Sequence, residues 1–147
     1  MLLVLLLLLA PMPRRANSRT LHVPFRTEQS MILIEGKIDE KRVTFLLDTG
    51  SVNTIVNIRS YRTDQLMLPL AQRNRSAPGF TGQAVHLRVT LSLEGHTWVG
   101  QSVGMMNLDG IQQALGIRFD GLLGQDILRE FRSVRIDYSA HVIELES

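Results

Sequence analysis

Phe45, Leu46 and Leu47 run straight into Asp48, Thr49, Gly50 and Ser51, after which Val52 to Val56 resume an apolar character. A carboxylate at the end of an apolar strand is costly, because burial disfavours its charged form and raises its pKa unless partners or chemistry use it. A carboxylate so placed is a candidate for general acid or base work. Gly50 lets the backbone turn sharply, and the hydroxyls of Thr49 and Ser51 lie within reach of the carboxylate or the neighbouring backbone. The plainer alternative is an Asx turn between two strands. On Asp48-Thr49-Gly50 alone that alternative is the better reading, since average composition makes a chance match in 147 residues roughly a one-in-thirty event.

The elements that must position this turn are short strands. Met31 to Ile38 and Arg42 to Leu47, rich in β-branched and aliphatic residues, flank Asp39, Glu40 and Lys41 and predict a hairpin. Val85, Leu87, Val89, Leu91 and Leu93 alternate with His86, Arg88, Thr90 and Ser92, which predicts a strand with one buried and one wet face. Glu94 to His96 supply a turn, and Thr97 to Met106 the returning strand. Asp109 is expected to cap a short helix carrying Ile111 and Leu115 and stopped by Gly116, and a second helix fits Gln125 to Glu130. Strands at Ser133 to Asp137 and His141 to Leu145, joined at Tyr138, Ser139 and Ala140, close the chain. Asn57 to Pro78 is the least regular stretch and reads as mostly loop. The class is mainly β, with enough short strands for a closed, barrel-like sheet.

A second motif lies about seventy residues beyond the turn: Phe119, Asp120, Gly121, Leu122, Leu123, Gly124 and then Gln125 to Leu128, an aliphatic-aliphatic-Gly strand feeding a helix. Leu46-Leu47-Asp48-Thr49-Gly50-Ser51 followed by Leu122-Leu123-Gly124 and a helix resembles the retropepsin-like aspartic proteases, single-domain relatives of retroviral protease and of one pepsin lobe. The order of parts agrees from about Met31 to Leu145. The resemblance implies a retropepsin fold and an aspartic endopeptidase, in which two carboxylates share a proton and bind a water. This chain carries one Asp-Thr-Gly, so a second copy must supply the other carboxylate, and an obligate homodimer with a twofold axis beside Asp48 is expected. If that pair is as buried as its flanks suggest, one member stays protonated into mildly acidic or neutral pH.

The resemblance also assigns the support. Thr49 would hydrogen-bond across the dimer axis, Gly50 would present its amide beside the carboxylate, and Ser51 would support the outer carboxylate oxygen. Leu123 and Gly124 would pack under the turn, so that a larger residue at Gly124 pushes on Asp48 through the core. Gly79, Phe80, Thr81 and Gly82, between Pro78 and Gln83, fit the tip of a flap over bound peptide, and apolar residues near it would favour apolar peptide positions. Many viral members pair a carboxylate shortly after the turn with an arginine after the aliphatic-aliphatic-Gly strand. Here Val52, Asn53 and Gln125 stand in those places, so other contacts must hold the dimer. Two other functions remain open on the residues: a non-catalytic peptide-binding or scaffolding relative of the same fold, and an unrelated β-barrel binding module.

Composition narrows the rest. The absence of cysteine excludes a disulfide scaffold, a thiolate metal site and a cysteine nucleophile. The formal charge of +2 gives no support to nucleic-acid binding. His22, His86, His96 and His141 have no metal-ligand spacing, and no Gly-x-Ser-x-Gly elbow or phosphate loop is present, so no metal or other cofactor is expected. Asp120, Asp126 and Asp137 sit at a turn, a helix start and a strand end, where structural roles are expected. Trp98, Met105 and Met106 read as packing. Met1 to Leu9 is an almost pure leucine run, about half of the roughly 20 residues that span a bilayer. Residues 1–19 therefore read as a leader, a signal peptide rather than a stable membrane span, and residues 20–147 as the protease domain, with periplasmic or secreted export favoured over the cytoplasm.

Overall fold

The computed structural model describes residues 19–61 and 85–147. In chain order the elements are β1 (Thr20–Glu28), β2 (Met31–Ile38), β3 (Lys41–Leu47), β4 (Ile55–Asn57), β5 (Val85–Leu93), β6 (His96–Met106), α1 (Asp109–Leu115), β7 (Gly121–Leu123), α2 (Gln125–Leu128), β8 (Ser133–Asp137) and β9 (Val142–Glu146). The order β3, β7, β4, β6, β5, β2 returns to β3 through the β2–β3 pairing and closes a six-stranded barrel. From β2 the sheet continues outward through β1, β9 and β8. The fold is mainly β, as the strand pattern predicts. Residues 1–18 of the leader, residues 62–78 of the expected loop and the expected flap Gly79, Phe80, Thr81 and Gly82 lie outside the described residues. No helix among the described residues is long and apolar enough to cross a membrane.

The hairpins follow from local chemistry. Gln29 and Ser30, and again Asp39 and Glu40, take positive φ in succession, as do Glu94 and Gly95, giving three two-residue turns whose twist matches the strands they join. Lys41 and His96, expected in the turns, already belong to strands. β2 and β3 are covered on both faces, which explains their near-continuous apolar runs. Ile34, Val43 and Phe45 point into the main core with Leu91, Leu93, Val103 and Leu123. Leu33 and Leu46 point the other way, into a second cluster with Leu108, Ile117, Phe119 and Leu122. On β5 the expected alternation holds: Val89, Leu91 and Leu93 are buried while His86 and Arg88 are exposed.

β1 has no counterpart in the sequence-based expectation, and Pro24 is the reason. A proline inside a run argues against a strand because it cannot donate to the ladder. Here it sits where the strand changes partner: residues Thr20 to Pro24 pair with β9, and Phe25 to Glu28 pair with β2. Asp109 is also corrected. It is the first helical residue of α1, after Leu108 at the N-cap, and the Asn107 side chain accepts the Asp109 N–H at 2.9 Å. Gly116 closes α1 at φ +68°, as expected of a glycine stop. α2 ends at Leu128, two residues earlier than expected, and His141 belongs to the last turn, with φ 53°.

Asp39 does more than turn the β2–β3 hairpin. Its carboxylate accepts the Thr90 N–H at 2.7 Å and the Tyr61 hydroxyl, so it ties the hairpin both to β5 and to the segment that follows β4. Tyr61 is pushed up to about 12, first by burial, then by the hydrogen bond to Asp39 and by the nearness of that charge. The folded chain therefore holds the phenol proton more tightly than the unfolded chain. That contribution is complete below pH 10 and is lost as the pH rises through about 12. We predict that Tyr61→Phe costs about 1 kcal/mol at pH 7. Denaturant unfolding of both proteins from pH 7 to 12 checks this, with the difference shrinking at the alkaline end.

Candidate active site

The turn at Asp48 is held by a strand pairing that joins distant parts of the chain. β3 and β7 run parallel, with Phe45 opposite Gly121, Leu46 opposite Leu122 and Leu47 opposite Leu123. β4 pairs with β7 from the other side, antiparallel, with Ile55 opposite Leu122. The chain from β3 to β4 therefore passes over the end of β7, and Asp48 to Thr54 form an arch above Leu123 and Gly124. Both motifs singled out in the sequence meet at this arch.

Each expected site residue has a defined place in it. The Asp48 N–H donates to the Leu123 carbonyl at 3.0 Å, and the Gly50 N–H donates to Asp48 Oδ1 at 2.9 Å. The carboxylate is thus oriented by its own turn, and it is half-buried in the single chain rather than enclosed. Thr49 is exposed, and its carbonyl accepts from Gln125 Nε2 at 2.8 Å. Leu123 points into the main core and holds the turn through its carbonyl. Ser51 departs from expectation: its hydroxyl donates to the Asn53 carbonyl at 2.7 Å, so its single proton is spent on the arch backbone and not on the Asp48 carboxylate.

Gly124 supports the arch by a different route from the one expected. A Cβ on Gly124 would stand 2.5 Å from both the carbonyl carbon and the oxygen of Asn53 and 2.9 Å from the Thr54 nitrogen. The pressure would fall on the far arm of the arch, through backbone, and not on Asp48 through core side chains. Gly124 has extended dihedrals, φ −100° and ψ −175°, so the requirement for glycine is one of space alone. Gly121 is equally constrained, since a Cβ there would lie 2.5 Å from the Ile55 carbonyl.

Four residues outside the expected set complete the arch. Thr54 is fully buried; its hydroxyl donates to Asp126 Oδ1 at 2.7 Å and accepts the Gly124 N–H at 3.2 Å. Asp126 Oδ2 accepts from Gln101 Nε2 on β6 at 3.0 Å. The Gln125 and Asp126 N–H groups donate to the Ser51 and Val52 carbonyls at 2.9 and 3.1 Å. The start of α2 therefore grips the arch at Thr49, Ser51, Val52 and Thr54. Gln125, standing where viral members carry arginine, makes an in-chain contact to Thr49. The one signal in the sequence was Thr54 itself, a hydroxyl in an otherwise apolar run from Thr54 to Val56.

The rival acids are occupied. Asp120 Oδ2 accepts the Thr44 N–H at 2.9 Å, and Asp137 accepts the Ala140 N–H at 2.9 Å, as turn and strand-end residues should. Trp98 is core and donates from Nε1 to Glu130 at 2.7 Å. An open cleft of about 980 Å³ lined by Arg59, Arg118, Asp109 and Asp120 lies beside the start of β7 and does not include Asp48.

Comparison with known proteins agrees with this geometry. Residues 34–127 match a family model described as aspartyl protease. A retropepsin-like aspartic protease from Rickettsia conorii superposes with a TM-score of 0.57 at 16% identity, covering 88% of this chain and 93% of that one. The retroviral protease-like domain of Ddi1 from Leishmania major aligns with a TM-score of 0.48 at 19% identity, covering 78% and 87%. No curated protein matches the chain. With the family match spanning most of the body, the barrel closed through β2 and β3, and Asp48 held on an arch over Leu123-Gly124, the chain belongs to the aspartyl protease family and has the retropepsin-like fold.

Proposed function

We propose that the protein is an aspartic endopeptidase that works as a homodimer, with Asp48 of each chain forming the reacting pair. The observation that carries this reading is the isolation of Asp48. Its half-buried carboxylate is bonded by the Gly50 N–H alone among the described residues, while Asp120, Asp126 and Asp137 are all spent on structural contacts. One carboxylate cannot both take a proton from water and present one to the substrate carbonyl, and a second copy is the source of another. The exposed Thr49 beside it is free to reach across the twofold axis. Val52, 61% exposed on the same arch, is an apolar residue that a partner chain or a bound peptide would cover.

In this reading the ionised Asp48 accepts a proton from the bound water as the oxygen attacks the peptide carbonyl carbon. The protonated Asp48 of the second copy hydrogen-bonds the carbonyl oxygen and supports the tetrahedral intermediate. The proton taken from water then passes to the leaving nitrogen as the C–N bond breaks. The Gly50 N–H holds the carboxylate in place throughout. Peptides are the substrate class, the leader directs export, and no cofactor takes part.

The test is cleavage of a diverse peptide mixture, read by mass spectrometry from pH 3 to 7, with the dimer fraction followed by sedimentation. Because the paired site needs two chains, cleavage per chain is expected to rise about in proportion to protein concentration while the monomer dominates, and to level off once the dimer does. A stable monomer that cleaves, or a dimer that cleaves nothing, would overturn the proposal, the second outcome favouring a peptide-binding relative.

A further inference from the structure

We propose that Asp126 is the positioning residue of the Asp48 arch: its carboxylate, acting through the buried Thr54 hydroxyl, sets where the catalytic turn stands over β7. Asp126 is 78 residues beyond Asp48 in the chain, and its carboxylate bonds neither the Asp48 carboxylate nor any side chain expected to meet substrate. Its contacts nevertheless converge on the far arm of the arch. Oδ1 receives the Thr54 hydroxyl at 2.7 Å and its own neighbour's N–H, from Ile127, at 3.0 Å. Oδ2 receives Gln101 Nε2 at 3.0 Å, and the Asp126 N–H reaches the Val52 carbonyl at 3.1 Å.

Thr54 is the hub that makes this reach matter. It has no exposed surface, so its hydroxyl must find its partners within the protein, and it takes three threads at once. The hydroxyl links Asp126 to the Gly124 N–H, and the Thr54 carbonyl accepts the Gly104 N–H of β6 at 2.9 Å. Thr54 in this way joins β6, the end of β7 and α2 at the residue where the arch descends into β4. The near arm has its own anchor, the Asp48 N–H on Leu123. With one end pinned at Leu123 and the other at Thr54, the length of chain between them fixes the attitude of the Asp48 side chain. Loss of the Thr54 side-chain bonds loosens the far arm of the arch, which then rests on the backbone bonds from Gln125, Asp126 and Gly104 alone.

A carboxylate suits this place because every group facing it is a donor: a hydroxyl, an amide side chain and a backbone N–H. Asparagine keeps the Oδ1 acceptor and turns Oδ2 into an amide, which Gln101 can meet by presenting its own carbonyl oxygen. Alanine removes both acceptors and leaves the Thr54 hydroxyl without one.

Two measurements on the full chain test the assignment. The first needs no catalysis: amide hydrogen exchange, with the Asp48 and Gln125 N–H groups as reporters and the β1 and β9 amides as controls. In Asp126→Ala the reporters are expected to exchange at least tenfold faster while the controls stay within twofold, and in Asp126→Asn the reporters recover to within threefold of wild type. Unchanged reporters in Asp126→Ala, or an equal rise at reporters and controls, would overturn the proposal. If Asp126→Ala does not fold, Thr54→Val removes the same hydroxyl at nearly constant volume, and the same outcomes decide. The second measurement rests on the proteolytic reading: kcat for peptide cleavage at saturating dimer should fall at least tenfold in Asp126→Ala with KM within threefold, and recover in Asp126→Asn. A loss carried by KM alone, or no rescue by asparagine, would refute positioning. An inactive wild-type protein would count against the proteolytic reading, and the exchange result would still judge Asp126.

Discussion

Asp48→Asn is expected to lower peptide cleavage by about a thousandfold or more, the equivalent of about 4 kcal/mol of barrier, with little change in stability. The substitution keeps the shape of the side chain and an oxygen for the Gly50 N–H to meet, so the arch should persist. What it removes is a group that can be ionised to take a proton from water or protonated to give one to the carbonyl oxygen. A mixing experiment strengthens the test. When equal amounts of wild-type and Asp48→Asn chains exchange partners, random pairing leaves about one quarter of the dimers with two carboxylates. Activity should therefore fall to about half of that expected from simple dilution. Independent active monomers would follow the dilution line, which separates the shared site from any single-chain mechanism. Unchanged cleavage in the pure variant would place the chemistry elsewhere.

Gly124→Ala is expected to be among the most damaging single-methyl additions around the Asp48 arch. Added volume in a packed interior ordinarily costs about 1–3 kcal/mol, because side chains shift to make room. Here the new Cβ meets backbone carbonyl and amide atoms at 2.5 to 2.9 Å, and those atoms belong to a segment bonded on both sides. We expect a loss at or above the upper end of that range, about 3 kcal/mol or more. Small domains have little more than this in reserve, so the variant should unfold several degrees to tens of degrees lower in a thermal scan. A comparison with Gly110→Ala controls for helix propensity and for the loss of glycine freedom in the unfolded chain. A Cβ at Gly110 would meet nothing within 4 Å, and that variant should unfold at or above the wild-type temperature. Equal effects at the two positions would mean that the arch yields freely.

The two arguments draw on different kinds of information. Asp48 was legible in the sequence because its neighbours carry the signal: an apolar strand, a sharp glycine and two hydroxyls in four consecutive residues. The hairpins around β2, β3, β5 and β6 were legible for the same reason, since alternation and two-residue turns are properties of adjacent positions. β1 was hidden because Pro24, which argues against a strand locally, is tolerated at the handover from β9 to β2. Ser51 was misassigned because nothing in Thr49-Gly50-Ser51 says whether a hydroxyl turns toward a carboxylate or toward the next carbonyl. Only the path of the arch decides that.

By itself, then, the amino-acid sequence pointed to the class of strands and to Asp48 as the candidate for acid and base chemistry, and its family resemblance pointed to Gly124 beneath the turn. The tertiary structure decided what that glycine presses on, which acids are withdrawn into structural work, and how the turn is anchored. The physical reason is the distance along the chain between partners. Thr54 and Asp126 are 72 residues apart, and Thr49 and Gln125 are 76 apart, so no local periodicity links them. They meet because β7 threads between β3 and β4, parallel to one and antiparallel to the other, and that pairing brings the start of α2 against the arch.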